Sequence, residues 1–396
     1  MQDISAIDLG LSVRDVQQYL VGCGYWGTET LRARNACTLT PCALALSRDA
    51  LNGLDQLARQ TYAALASTQQ RIHALATARS LTNADAAFVK LARRAARDLL
   101  APGECELVPP VVKLDCVITD GSFKVVEVDA YNPRGYGYLA LLNALVPTGK
   151  RAGGGIAELA KRMRAQSDGA WRFLVPEYER YYEPGYRILC AALAAEGIDA
   201  ICVRESELVD GADLDMATFV IPDTLHELPA LRTALMGRYR EGCLTTFYPP
   251  CAYLGTKALL PTIAAEASGY VPKTALVSRM HDPRAAFSGE TLLKGVVSSG
   301  MKQVLFSDED GDAFERAYLD ARQQKTPQWV IQEAVSQAPI PVTVFGEDGA
   351  RRVAPYYLRV IAYATRDGLL GAEVTGRPDR RVHGAPDCVQ MPVMAR

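Results

Sequence analysis

The residues best suited to chemistry sit in a pair of short segments with period-two patterning. Val111 to Thr119 and Phe123 to Asp129 read as strands, and Asp120-Gly121 between them is a tight-turn dipeptide, so a β-hairpin is predicted. Glu127 and Asp129 are two apart on the returning strand, which puts their carboxylates on one face. Asp115 lies on the paired strand. Carboxylates gathered in an apolar hairpin repel one another unless a cation lies between them. Magnesium takes such oxygen ligands, usually with a phosphate completing its shell. For Glu127 and Asp129 alone, a strand face turned to water is an equally good account.

Two lysines suit phosphate. Lys257 stands in Gly255-Thr-Lys-Ala-Leu-Leu260, and Lys294 in Leu292-Leu-Lys-Gly-Val-Val-Ser-Ser-Gly300. A lysine ending an apolar strand supplies charge, and the small-residue loop Ser298-Ser299-Gly300 lets backbone amides approach oxygens closely. Neither is a P-loop, because GxxxxGK[ST] is absent. Each lysine by itself reads as ordinary surface charge.

Further along, Trp329 to Val335 is an apolar strand ending in Gln332-Glu333, a pattern that suits the edge of a purine or simply a solvated strand end. Arg359, in Tyr356-Tyr-Leu-Arg-Val-Ile-Ala-Tyr363, is costly to bury without an anion; a phosphate, a carboxylate or a structural salt bridge would serve. Arg134, in Asn132-Pro-Arg-Gly-Tyr-Gly137, is the best candidate to hold a substrate carboxylate, since guanidinium matches it bidentately. Cys23, in Gly22-Cys-Gly-Tyr-Trp26, has the small neighbours of a nucleophile but no partner histidine, and a flexible turn explains it as well.

These residues need elements to position them. Residues 12–100 read as mostly helical, with apolar residues three and four apart in 47–58 and 86–100. The hairpin follows, then a helix near 136–146 and a Gly-rich connector. Strand 171–176, helix 185–196 and strands 198–203 and 218–222 make a parallel, doubly wound unit. The remainder, from Lys257, mixes helices (257–268, 310–325) with strands (290–297, 329–335, 340–346, 354–363).

Composition excludes several classes. Of 396 residues, 43 are Lys or Arg and 45 Asp or Glu, so the net charge of −2 lacks the basic excess of a general nucleic-acid or acidic-membrane binder. The longest apolar stretch, Tyr138 to Val146, is far short of a membrane span. The first residues show no secretory pattern, so the ten cysteines are expected to stay reduced in the cytoplasm. With four scattered histidines and no CxxC, a zinc site is not expected.

The order of the pieces resembles an ATP-grasp ligase. Gly255-Thr-Lys257, Val271-Pro-Lys-Thr274, Leu-Leu-Lys294, Ile-Gln332-Glu333 and Leu-Arg359 follow one another as in that superfamily. The strand pair bearing Asp115, Glu127 and Asp129 precedes them, which is similar to the permuted, eukaryotic glutathione synthetase type. The fold class implied is α/β and α+β: an ATP-grasp fold with a helical N-terminal region (1–104), a hairpin and helix contributing to the catalytic core (105–150), a doubly wound substrate-side domain (170–255) and a nucleotide-binding domain (256–396).

On that resemblance, Lys257 and Lys294 hold ATP phosphates and Ser298, Ser299 and Gly300 form the loop over them. Gln332 and Glu333 border the adenine or ribose, Glu127 and Asp129 bind Mg2+, and Arg359 faces the phosphoryl group. Asp115, Asn132 and Arg134 contact substrate. The chain departs from the family where Glu-x-Asn appears as Glu127-Val-Asp129, and where a serine replaces an acidic metal ligand after Lys294; Glu373 is a candidate for the missing carboxylate. The activity implied is ADP-forming ligation of a small carboxylate, amino acid or peptide-like, to an amine through an acyl-phosphate, as in peptide natural-product assembly. Its partners would be small molecules, with a second copy packed on the N-terminal helices. The rival readings are a catalytically degenerate ATP-grasp binder with a regulatory or scaffold role, and an α/β binding protein with no nucleotide site.

Overall fold

The computed structural model describes residues 3–77, 108–130, 134–208, 217–220, 229–248, 256–279, 282–296, 301, 303–325 and 327–396. The expected helix of 86–100 lies outside them. The chain opens with β1 (Ile4–Asp8) and β2 (Cys42–Leu46), separated by the helix Val13–Gly22 and followed by the long helix Arg48–Thr77. The hairpin β3 (Val112–Thr119) and β4 (Ser122–Asp129) comes next. Its turn has Asp120 at φ 43° and Gly121 at φ 74°. Two consecutive left-handed residues are what a type I′ hairpin demands, and Asp-Gly supplies them at little cost.

The parallel unit is β5 (Trp171–Val175), β6 (Ala200–Arg204), β7 (Ala217–Val220) and β8 (Leu244–Thr246), in the order β6-β5-β7-β8. An antiparallel sheet follows: β9 (Thr274–Val277), β10 (Thr291–Gly295), β11 (Val304–Phe306) and β12 (Trp329–Glu333), in the order β11-β10-β12-β9. The chain ends with β13 (Ile340–Phe345), β14 (Arg351–Thr365), β15 (Gly368–Arg377) and β16 (Val389–Ala395).

These last strands return to the first. Among the described residues they join an eight-stranded sheet of order β1-β2-β16-β15-β14-β3-β4, with β13 on the first half of β14. Its pairs are antiparallel except β16 with β2. The 12–100 segment read as mostly helical therefore contains a strand. Cys42-Ala-Leu-Ala-Leu46 is buried along its whole length. A short, wholly apolar run carries no periodicity to separate strand from helix.

Side-chain alternation divides the large sheet. Leu114, Cys116, Val128, Val360, Ala362 and Val374 point to a core shared with Leu54, Leu57 and Leu65 of the helix Arg48–Thr77. The opposite face carries Lys113, Asp115, Glu127, Asp129, Arg359 and Glu373. The parallel unit packs beside this polar face, through Tyr136, Leu139 and Tyr363 against Trp171, Phe173 and Tyr186. In the smaller antiparallel sheet, Val277, Leu293 and Ile331 bury against Phe314 and Tyr318 of the helix Gly311–Gln323. That leaves Lys294 and Gln332, one residue further along β10 and β12, on the other face.

Candidate active site

The smaller sheet and the large sheet meet at a β-bulge. The register of β3 and β4 shifts so that Asp115 opposes Glu127 and Cys116 opposes Val125, which leaves Val126 as the extra residue. Its carbonyl accepts a hydrogen bond from Lys294 Nζ at 2.7 Å. The same ammonium donates to Gln332 Oε1 at 2.8 Å, and Gln332 Nε2 donates to Thr274 Oγ1 at 2.9 Å. Lys257 starts a 3-10 turn before the helix Leu260–Glu266, and its Nζ lies 2.9 Å from Glu127 Oε1. Both lysines are buried, so neither is the ordinary surface charge that base rates suggested.

The rest of the polar face is a row of matched charges. Asp129 pairs with Lys113 at 3.3 Å, and Asp115 with Arg359 at 3.0 Å. This chain's own lysines and arginine thus balance the charge of these carboxylates. Burial opposes charge on Glu127, but Lys257 and then Lys294 hold its carboxyl below the usual range. Burial likewise opposes charge on Lys113, and Asp129, Asp115 and Glu127 outweigh it. Lys294 goes the other way: burial brings its ammonium down to about 8. At Glu373 burial pushes the carboxyl up to about 8, although the Tyr363 hydroxyl donates to its Oε1 at 3.0 Å.

Three buried polar atoms on this face have no hydrogen-bond partner: Asp115 Oδ1, Arg359 Nε and Glu373 Oε2. Such atoms cost free energy unless something meets them. All three lie on the face that Lys257 and Lys294 approach from outside.

Arg134 is placed by its neighbours. Gly135 adopts φ 109°, and a Cβ there would collide with the Tyr363 hydroxyl. Only glycine lets the chain pass this close. Arg134 then donates to Glu179 Oε1 at 2.6 Å and lies 5.1 Å over the Tyr182 ring. Gln332 uses its side-chain amide to hold Lys294, while Glu333 ends β12 in solvent, with its backbone N–H on the Lys273 carbonyl. Asn132, Ser298, Ser299 and Gly300 lie outside the described residues. Cys23 has its thiol pushed up by burial, the reverse of an activated nucleophile.

Sequence reasoning gave no role to Lys113, Tyr363 or Glu179. Lys113 is two residues from Asp115 and shares its face, a signal present in the pattern. Glu179 sits in a 3-10 turn after Pro176 and arrives beside Arg134 only through tertiary packing.

No protein-family model matches the sequence, and no curated relative does. Among solved structures, a glutathione synthetase-like effector from Globodera pallida superposes with a TM-score of 0.55 at 11% identity, covering 98% of this chain and 99% of that one. This chain has the glutathione synthetase-like ATP-grasp fold. Similarity also extends to a protein assigned as a gamma-glutamylcysteine synthetase of Methylobacillus flagellatus (TM-score 0.38, 12% identity, 88% and 89% covered). A D-cycloserine synthetase gives 0.31, with 18% identity and 51% and 71% covered. At those scores the two add no argument about the fold. β3 comes early in the chain and pairs alongside the second half of β14, Arg359 to Ala364, with β4 outside it. Among the described residues no helix is long and apolar enough to cross a membrane.

Proposed function

We propose that this chain is an ATP-dependent, ADP-forming ligase that joins a small carboxylate to an amine through an acyl-phosphate. The observation that carries the reading is the pair of buried lysines, Lys294 from the smaller sheet and Lys257 from the turn before the helix Leu260–Glu266, which reach the Val126 carbonyl and the Glu127 carboxylate of the large sheet. Phosphoryl transfer asks for positioned positive charge more than for a protein nucleophile. Lys257 and Lys294 supply that charge at the terminal phosphates, and Arg359 supplies it where the acyl-phosphate forms. Arg134, at the edge of the face, orients the carboxylate. Attack by the carboxylate oxygen on the terminal phosphorus releases ADP. The amine then attacks the acyl carbon, inorganic phosphate leaves, and the amine's proton passes to a base.

Magnesium fits this face in a limited way. Among the described residues no three Asp, Glu, His or Cys side chains form a metal-holding group, so these residues alone make no cage. Glu127 and Asp129 offer the few carboxylates that magnesium takes when phosphates complete its shell. Bound there, it would neutralise phosphate charge.

A catalytically degenerate, nucleotide-binding protein is the second reading. It is favoured by the Glu127–Lys257 and Asp129–Lys113 pairs, in which the charge that would attract a metal is already balanced. ADP release separates the two. The chain with Mg-ATP and mixed carboxylates and amines should release ADP only when both co-substrates are present. Stabilisation by Mg-ATP with no ADP from any pair would sink the ligase reading and leave the degenerate one.

A further inference from the structure

A cavity of about 310 Å³ adjoins the proposed catalytic face. It lies between the helix Val13–Gly22, the segment 35–42, the helix Tyr136–Asn143 and the segment 384–392. The two spaces share a wall. Pro392 and Gln390, which line the cavity, stand across from Glu373 and Thr375 in the β15–β16 register. The Thr375 hydroxyl donates to Gln390 Oε1 at 3.0 Å. At another side the cavity is bounded by Tyr182, whose ring lies under the Arg134 guanidinium.

None of the described lining residues is Asp, Glu, Lys, Arg or His. Two of the titratable groups that line it, Cys37 and Tyr19, are held neutral near pH 7. Burial pushes the Cys37 thiol up to about 12, with Cys388 adding to it, and the Tyr19 hydroxyl rises to about 12 as well. The Tyr25 hydroxyl is spent on the Tyr138 hydroxyl at 2.5 Å, and the Tyr19 hydroxyl donates to the Leu141 carbonyl. A charged group entering here would lose its water and find no counter-charge. An apolar group loses nothing. A cavity of about 150 Å³ holds a benzene ring, so this one has room for a ring with its linker.

We infer that the carboxylate substrate carries an uncharged aromatic side chain, which seats in this cavity while its carboxylate reaches the Arg134 and Glu373 edge of the face. The inference rests on the ligase reading for the word substrate, but the cavity stands on its own geometry. It separates this chain from ligases whose substrates carry a second charge at that position.

Calorimetric titration of the full chain tests it, with 3-phenylpropionate, L-phenylalanine and L-glutamate as probes, each with and without Mg-ATP. The aromatic probes should bind at least tenfold tighter than L-glutamate. Cys37→Phe, which fills the cavity, should weaken them at least tenfold while keeping the wild-type thermal shift with Mg-ATP; Ala385→Leu is the milder filling if Cys37→Phe does not fold. Equal or tighter binding of L-glutamate, or aromatic binding untouched by a folded cavity-filling variant, overturns the inference while a Mg-ATP shift keeps the ligase reading alive. Aromatic binding that is lost on filling, in a chain that never responds to Mg-ATP, overturns the ligase reading and keeps the cavity as an aromatic-acid site.

Discussion

Lys294 on β10 donates to the carbonyl of Val126 on β4, 168 residues away in sequence. This ammonium therefore ties the smaller sheet to the large one, and it does so at the carbonyl of the bulged residue. With Gln332 on its other side, the ammonium is fixed before any ligand arrives. Its positive charge needs no reorganisation to meet a phosphate.

Lys294→Ala should abolish nucleotide binding. A ligand that binds only the folded state stabilises it by roughly 2.7 kcal/mol at a hundredfold excess over its Kd. The wild type should therefore show a clear rise in Tm with millimolar Mg-ATP and Lys294→Ala none. Equal shifts in both proteins would show that the ammonium does not meet the nucleotide.

Asp115→Asn should destabilise the fold, because Arg359 then keeps its charge in a half-buried site without its partner. Breaking one side of such a pair costs on the order of 3 kcal/mol. Asp115→Asn with Arg359→Leu should recover part of that loss, and urea unfolding of the two single variants and the double one measures it. Additive losses would mean that the pair at 3.0 Å contributes no coupling.

Glu373 should make stability fall as pH rises. Its folded-state carboxyl sits at about 8 against an ordinary value of 4.5. Between those values the folded state holds a proton that the unfolded state has released, so the slope of unfolding free energy with pH is negative. The contribution is fully present below 4.5 and is lost as pH passes about 8. Glu373→Gln, which keeps the shape and cannot ionise, should flatten the difference across that window. The check is chemical denaturation at pH 5 through 9; parallel curves for the two proteins would contradict it.

Gly135→Ala should cost more than an ordinary surface substitution, by about 2 kcal/mol or more, because both the backbone conformation and the space are unavailable to a Cβ. Thermal unfolding reads the loss. A Tm within a degree of wild type would mean that the close approach to Tyr363 is not required.

Much of this arrangement was legible in the sequence. Asp120-Gly121 between two alternating runs announced the hairpin, and Glu127 with Asp129 announced which face would be polar. The lysines were visible as types but not as partners. Nothing local says that Lys257 will meet Glu127 or that Arg359 will meet Asp115, since those pairings depend on strands brought together from far apart. The bulge at Val126 was also hidden, because a one-residue register shift leaves no mark in the alternation on either side. β2 was lost to the opposite problem: five buried apolar residues have no pattern at all.

The large sheet has one more consequence, for the order in which the chain can mature. β3 emerges early in synthesis, yet its neighbour β14 follows roughly 240 residues later, and β2 waits longer still for β16. At about 5–20 residues per second, the hairpin spends roughly 10–50 s with one edge unpaired. Its carboxylates have no arginine beside them for that time. The ribosome must therefore deliver β14 and β15 before the polar face exists, and a product lacking β14 to β16 would be born with an open, aggregation-prone edge.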